Sequence, residues 1–167
     1  MAELFWRALA WFVSRRPVAD WIVRRAMHRP YEHIPGYMNR WWLFNAYPTP
    51  AWFPLSVRVH QIKRADNDRH LHDHPWDFRT IVLMGWYDEM RPYGDPNAKL
   101  RFSGFEAVEC RKRRVGDTYL LRFGEFHKIV GVSPEVGAVT LFITWRKRGT
   151  WGFKVGDRKI PWREYHK

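Results

Sequence analysis

The sequence predicts a mainly β protein, a sandwich or barrel, preceded by two short helices. Three observations carry this. After Pro54 the chain falls into short runs rich in β-branched and aromatic residues, separated by turns containing Gly, Asn and Asp. Before Pro30, apolar residues recur at helical spacing. In the stretch "RHLHDHPWDF", His70, His72 and His74 stand at alternate positions, the period at which strand side chains share a face.

Taken in order, residues Glu3–Val13 place Leu4, Phe5, Ala8, Leu9 and Phe12 at helical spacing, and Ser14 and Pro17 punctuate. Pro17 suits the first turn of a second helix over Val18–Met27, whose stripe is Val18, Trp21, Ile22 and Ala26, and Pro30 ends it. With Trp and Arg both present, such helices also suit a membrane interface; packing on the protein's own sheet is the favoured reading. Residues 31–54 hold Pro35, Pro48, Pro50 and Pro54 with Trp41, Trp42 and Trp52, and read as an extended arm with one short strand near Asn39–Asn45. "LSVRVHQIKR" is strand-like and "ADND" is a turn. "TIVLMGWYDE" reads as a buried strand broken at Gly85, and "PYGDPNA" as a loop. Strands follow at Ser103–Cys110, Thr118–Leu121, His127–Val130 and Ala138–Trp145, with an edge strand near Gly152–Val155. The division expected is a helical segment (1–30), an arm (31–54), a barrel (55–148) and a basic aromatic tail (149–167) of the same domain.

The chain carries 29 Lys and Arg against 17 Asp and Glu, a net charge of +12, which favours anionic partners without choosing among them. The basic residues are scattered, so a nucleic-acid role is weighed but not favoured over a basic solvated surface. One cysteine, Cys110, excludes an intramolecular disulfide and a cysteine-rich zinc site, and reads as a core residue in a strand. A reducing cytoplasm is the expected location. The N-terminal apolar stretch is interrupted by Arg7 and is too short and too charged for a membrane span. Ser56, Ser103 and Ser133 lack a nucleophile context, and there is no phosphate-binding loop or dinucleotide fingerprint.

The three histidines suggest a metal. Same-face neighbours on a strand lie about 6.6 Å apart, and imidazole nitrogen binds a metal at about 2.0–2.1 Å, so residues at i and i+2 converge on one ion. Residues at i and i+4, about 13 Å apart, do so only by reaching straight toward each other. Either His70 with His72, or His72 with His74, forms the pair, and a third ligand must come from elsewhere. His127, three residues after Gly124 in "GDTYLLRFGEFHKIVG", is placed by a tight turn at a strand start.

Here the chain resembles the cupins. Gly116, Arg122, Gly124, His127 and Gly131 reproduce the spacing of the second cupin motif, G-x5-P-x-G-x2-H-x3-N, with Arg122 replacing proline and Gly131 replacing asparagine. His72 and His74, followed after ten residues by Gly85, match the histidine-to-glycine spacing of the first motif and select that pair over His70. The first motif's leading glycine is absent, and its glutamate position falls on Phe78, which cannot ligate. The string His72–Glu89 also resembles that of small phage and bacterial cupin-like proteins, a likeness that brings no activity with it.

The resemblance covers about residues 55–147. It implies a double-stranded β-helix, the cupin or jelly-roll barrel, with a divalent metal held in its mouth by His72, His74 and His127. Three neutral imidazoles leave the ion's charge uncompensated, so the site should attract anionic or chelating ligands. Such sites resemble those of thiol dioxygenases and other iron oxygenases, which puts Fe(II) first, with Zn, Ni, Cu or Mn as alternatives. Asp77 is the alternative carboxylate, and Asp73 suits a supporting partner behind a ligand. His70 belongs to the surface or rim, and Tyr87 and Glu89 face the cavity or serve the structure. Arg79 and Arg122 are candidates to steer a substrate carboxylate or phosphate. The function expected is a metal-dependent, oxygenase-like enzyme acting on a small polar or anionic molecule. The alternatives are a noncatalytic ligand-binding cupin and a nucleic-acid- or membrane-surface protein. A homodimer is expected by analogy alone.

Overall fold

In the computed structural model, which describes residues 1–92, 101–102, 105–106 and 108–165, the N-terminal segments are helices α1 (Ala2–Val13) and α2 (Arg16–Met27). Strands follow as β1 (Met38–Phe44), β2 (Ser56–Ile62), β3 (Trp76–Pro92), β4 (Arg101–Phe102), β5 (Phe105–Glu106), β6 (Val108–Arg114), β7 (Thr118–Leu121), β8 (Lys128–Val132), β9 (Ala138–Lys147), β10 (Gly152–Val155) and β11 (Arg158–Pro161), then a short helix α3 (Trp162–Tyr165). Residues 93–98 of the expected loop, and Ser103, Gly104 and Ala107 of an expected strand, lie outside the described residues.

The strands pair antiparallel in the order β1-β2-β9-β3-β6, with β7 and β8 also on β3. Strand β3 organises the rest. Its first half lies between β7 and β9, and its second half between β6 and β8. Gly85 marks the passage. Its φ is +67°, and a Cβ there would stand 2.0 Å from the Gly137 carbonyl oxygen. Only glycine fits this bend, so β3 is continuous and bulged where the sequence suggests a break.

Alternation along β2, β3 and β9 sorts the two faces of this sheet. Val57, Val59, Ile81, Leu83, Val139, Leu141 and Ile143 pack under the helices against Ala10, Val13, Ala19, Ile22 and Ala26. The opposite face carries Arg58, His60, Phe78, Thr80, Thr140 and Phe142, and lines a cavity.

Two expectations change. The α1 stripe chosen from sequence is not the packing face: Trp6, Leu9, Ala10 and Val13 turn inward, while Leu4, Phe5, Ala8, Trp11 and Phe12 are exposed. Helix α1 is apolar around most of its circumference, so periodicity did not fix its orientation. Cys110 is exposed, because β6 is an edge strand most of whose side chains face solvent.

Candidate metal centre

The histidine stretch is not a strand. Between Ser56–Ile62 and Trp76–Pro92 the backbone is irregular, and His72 touches His127 through an isolated antiparallel bridge. Each residue's N–H donates to the other's carbonyl oxygen at 2.8 Å. Two segments 55 positions apart are thus locked in register at the two residues that matter. The approach to His127 is a built turn. Gly124 takes φ +86°, Asp77 Oδ1 accepts from Phe123 N–H at 2.8 Å, and Glu125 Oε2 accepts from Arg122 N–H at 2.9 Å.

As a result, one nitrogen from each of His72, His74 and His127 lies within 4.8 Å of the others. His74 Nε2 and His127 Nε2 are 2.9 Å apart, and the His72 ring centre is 5.2 Å from that of His74 and 4.9 Å from that of His127.

Behind His127 stands Glu89, 2% exposed. His127 Nδ1 lies 2.9 Å from Glu89 Oε1, and Arg113 Nε and Nη2 donate to Glu89 Oε2 at 2.9 and 2.7 Å. Burial alone would raise the Glu89 carboxyl. The hydrogen bond from His127, with the charges of His127, Arg113 and Arg91, outweighs burial and holds it down at about 2. An ionised Glu89 accepts from Nδ1–H of His127, which turns Nε2 toward the other two imidazoles. Burial, and next the charge of His127, push His72 down to about 4. Burial likewise lowers His74 well below the usual imidazole range. These two imidazoles are neutral near pH 7, the form that ligates.

The donor set fits a divalent transition ion. Two nitrogens bound to one ion at about 2.0–2.1 Å stand at most about 4 Å apart, a separation that His74 and His127 satisfy and that the set of three approaches, at 4.8 Å or less. Imidazole suits Fe, Zn, Ni and Cu more than it suits Mg or Ca. The carboxylate of Glu89 lies behind His127, where it supports a ligand instead of replacing one.

No protein-family model matches the chain, and no curated protein matches it by sequence. Solved structures do match. Vicilin from hazelnut (Corylus avellana) superposes with a TM-score of 0.54 at 11% identity, over 81% of this chain and 36% of its own. An oxalate decarboxylase variant from Bacillus subtilis gives 0.53 at 12%, over 84% and 32%. The polyketide cyclase RemF from Streptomyces resistomycificus gives 0.52 at 15%, over 74% and 75%. The fold is that of the cupins. The chain spans about a third of the length of the vicilin and the oxalate decarboxylase.

Within this cupin barrel the remaining predicted residues separate. His70 Nδ1 lies 2.8 Å from the Tyr165 hydroxyl, at the junction with α3 and apart from the three histidines. Asp73, fully buried, accepts from Gly152 N–H at 2.8 Å and pairs with Lys159, so these partners lie on the β10–β11 side and not among the three histidines. Asp77 is occupied by Phe123 N–H and Arg148 and braces the His127 turn, so it supplies no ligand oxygen. Phe78 fills the glutamate position with a ring 4.6 Å from that of His74. Tyr87 is buried and lines the cavity, its hydroxyl 3.4 Å from Thr80 Oγ1.

Neither Arg79 nor Arg122 reaches the histidines. Alternation on β3 sends Arg79 to the helix side, where it pairs with Glu3 of α1, and both arginines line a separate depression beside Trp6 and Trp145. Arg58, His60 and Asp66 border the cavity and were missed. Their signal is present in "SVRVHQI", where Arg58 and His60 are the polar members of an alternation whose other members, Val57 and Val59, are apolar.

Proposed function

We propose that this protein is a metal-dependent cupin acting on a small anionic molecule, with His72, His74 and His127 as ligands of a divalent transition metal. One observation carries the reading: three imidazoles from two distant segments converge on the wall of a cavity of about 360 Å³, and the third is held in its ligating tautomer by a buried carboxylate. A divalent ion there supplies Lewis acidity, and Fe(II) adds redox chemistry, which is the oxygenase-like form of the proposal. The chain's own contribution is position and exclusion. Glu89 orients His127, and the rings of Phe78, Phe142 and Trp151 wall the cavity beside the cluster.

Elemental analysis of protein purified without a histidine tag tests this. About one equivalent of a transition metal is expected, iron first. Metal-free protein that takes up none on reconstitution overturns it. Dioxygen consumption by the iron-loaded protein with a panel of small organic acids separates enzyme from binding protein: melting shifts without consumption favour the noncatalytic form.

A second reading concerns the surface. Leu4, Phe5, Ala8, Trp11 and Phe12 form an exposed stripe on α1, with Arg7 exposed on the same helix and the Arg15 guanidinium 4.0 Å from the Trp11 ring centre. Exposed aromatics beside arginines match an anionic bilayer surface. No described helix is long and apolar enough to cross a membrane, so the contact is interfacial. Flotation with phosphatidylserine vesicles, and its loss in Trp11→Ser/Phe12→Ser, checks it. Flotation equal on neutral vesicles, or a dimer lost with the same substitutions, rejects it.

A further inference from the structure

We propose that Arg58 is the carboxylate-recognition residue of the cavity, and that the ligand is a small organic acid with a flat apolar body. This deepens the metal-centre reading and rests on it only for where the ligand's far end lies.

Arg58 comes from β2, 2% exposed, on the cavity face of the sheet. Its guanidinium carbon stands 4.9 Å from the ring centres of both Trp76 and Phe142, and 5.3 Å from those of Trp42 and Tyr47. Aromatic faces attract a cation and the Tyr31 hydroxyl bears on the guanidinium, yet ring faces present no acceptor to the remaining N–H groups. Nε and Nη2 of Arg58 are buried and have no hydrogen-bond partner. Other sheltered arginines are matched with acids: Arg79 with Glu3, Arg113 with Glu89, Arg91 with Glu125. Arg58 forms no ion pair with any described residue. A buried fork of donors without an acceptor is unfavourable unless an anion completes it, and a carboxylate fits that fork with two parallel hydrogen bonds. One guanidinium matches one negative charge. Arg40, the other arginine on the cavity wall, donates instead to the Glu32 carbonyl oxygen.

The slot sets the body. Phe142 is cross-strand from Arg58 and is stacked by His60 at 4.6 Å and by Phe78 at 4.5 Å. The same Phe142 ring lies 5.8 Å from the His74 ring. Guanidinium and imidazole are therefore no farther apart than those two contacts to Phe142 together. An acid whose carboxylate sits on Arg58, with its body along Phe142, points its far end at the three histidines. His60 Nε2, also buried without a partner, lies along that path.

Calorimetric titration of the full chain with benzoate and trans-cinnamate, each against its amide, tests the assignment, before and after chelator treatment. At least one acid is expected to bind tenfold or more tighter than its amide in both states. Arg58→Met should weaken that acid tenfold or more with metal content unchanged, and Arg58→Lys, which keeps the charge without the fork, should fall between. Equal binding of acid and amide, no binding of either acid, or unchanged binding in Arg58→Met overturns the proposal. If Arg58→Met does not fold, Arg58→Lys decides: wild-type affinity there removes the role of the fork. Tighter binding of phenyl phosphate than of either acid overturns the carboxylate class. His127→Ala separates the two readings. Acid selectivity retained as metal is lost supports Arg58 independently of the metal centre, and acid selectivity retained with full metal content keeps the Arg58 assignment while removing His127 as a ligand.

Discussion

The two faces of the β2-β9-β3 sheet are built from alternate residues of the same three strands, yet their chemistry is opposite. Toward the helices, Val59, Ile81, Leu83, Val139, Leu141 and Ile143 meet Ala10, Ala19 and Ala26. The small helix residues let the backbones approach, and this face consists of dispersion and burial. Toward the cavity, the same strands present Arg58, His60, Thr80, Thr140 and Phe142, and two of these keep polar atoms buried without partners. A folded chain tolerates such a face only where another supplies the stability. Stability and binding should accordingly separate when each face is altered.

The largest separation is expected at His127. His127→Ala should take bound metal from about one equivalent to nearly none, read by elemental analysis, with a loss of only about 1–3 kcal/mol in chelator-treated protein, because buried Glu89 loses one of its partners and keeps Arg113. Full metal content in the variant would mean that the cluster does not ligate. On the helix-covered face the reverse holds. Ile81, fully buried, becomes a cavity in Ile81→Ala, with a loss of about 2–5 kcal/mol in urea unfolding. Metal stoichiometry should stay at the wild-type value; a parallel loss of metal would show that the faces are coupled.

A smaller effect tests the support behind the cluster. Glu89→Gln keeps the size of the side chain and removes the charge that fixes Nδ1–H of His127. Metal affinity should fall about 10–100-fold, measured by competition with a chromogenic chelator. An unchanged affinity would make the contact purely structural.

The fold was legible because it is written in periodicities. The β strands after Pro54 alternate, and the motif spacing from Gly116 to Gly131 tied His127 to His72 and His74 before any geometry was known. The cluster those three residues form was likewise readable, although by the wrong local argument: His72 and His74 converge through an irregular segment and a backbone bridge to His127, not through a regular strand face. What stayed hidden depends on long-range register. Nothing local distinguishes Arg58, which faces the cavity, from Arg79, which faces α1; the difference is which half of each alternation the sheet turns inward. Glu89 was in view but ambiguous, because its role follows from β3 pairing with β6 and β8 beyond the Gly85 bend, which brings Arg113 and His127 to it from either side. The exposed side of α1 was misassigned because its apolar residues cover most of the circumference and its charges do not mark the solvent side: Glu3 pairs with Arg79 of β3.

The gentlest contrast between the faces is in their response to acid. His60 is buried in the cavity wall, and burial, then the charges of Arg58 and Arg40, lower it well below its usual range. An unfolded chain binds that proton near pH 6.5 and the folded one does not, so stability declines as pH falls from about 7 toward the folded value. His60→Phe, which preserves the stack on Phe142, removes this one contribution. Relative to pH 7.5, chelator-treated wild type should lose about 1–2 kcal/mol more than the variant at pH 5, read from urea midpoints at both pH values. An apolar substitution of similar size on the helix face, Leu141→Met, should leave the pH dependence of wild type intact. Identical acid profiles for wild type and His60→Phe would show that His60 takes up its proton in the folded state and that the cavity face is wetter than its burial implies.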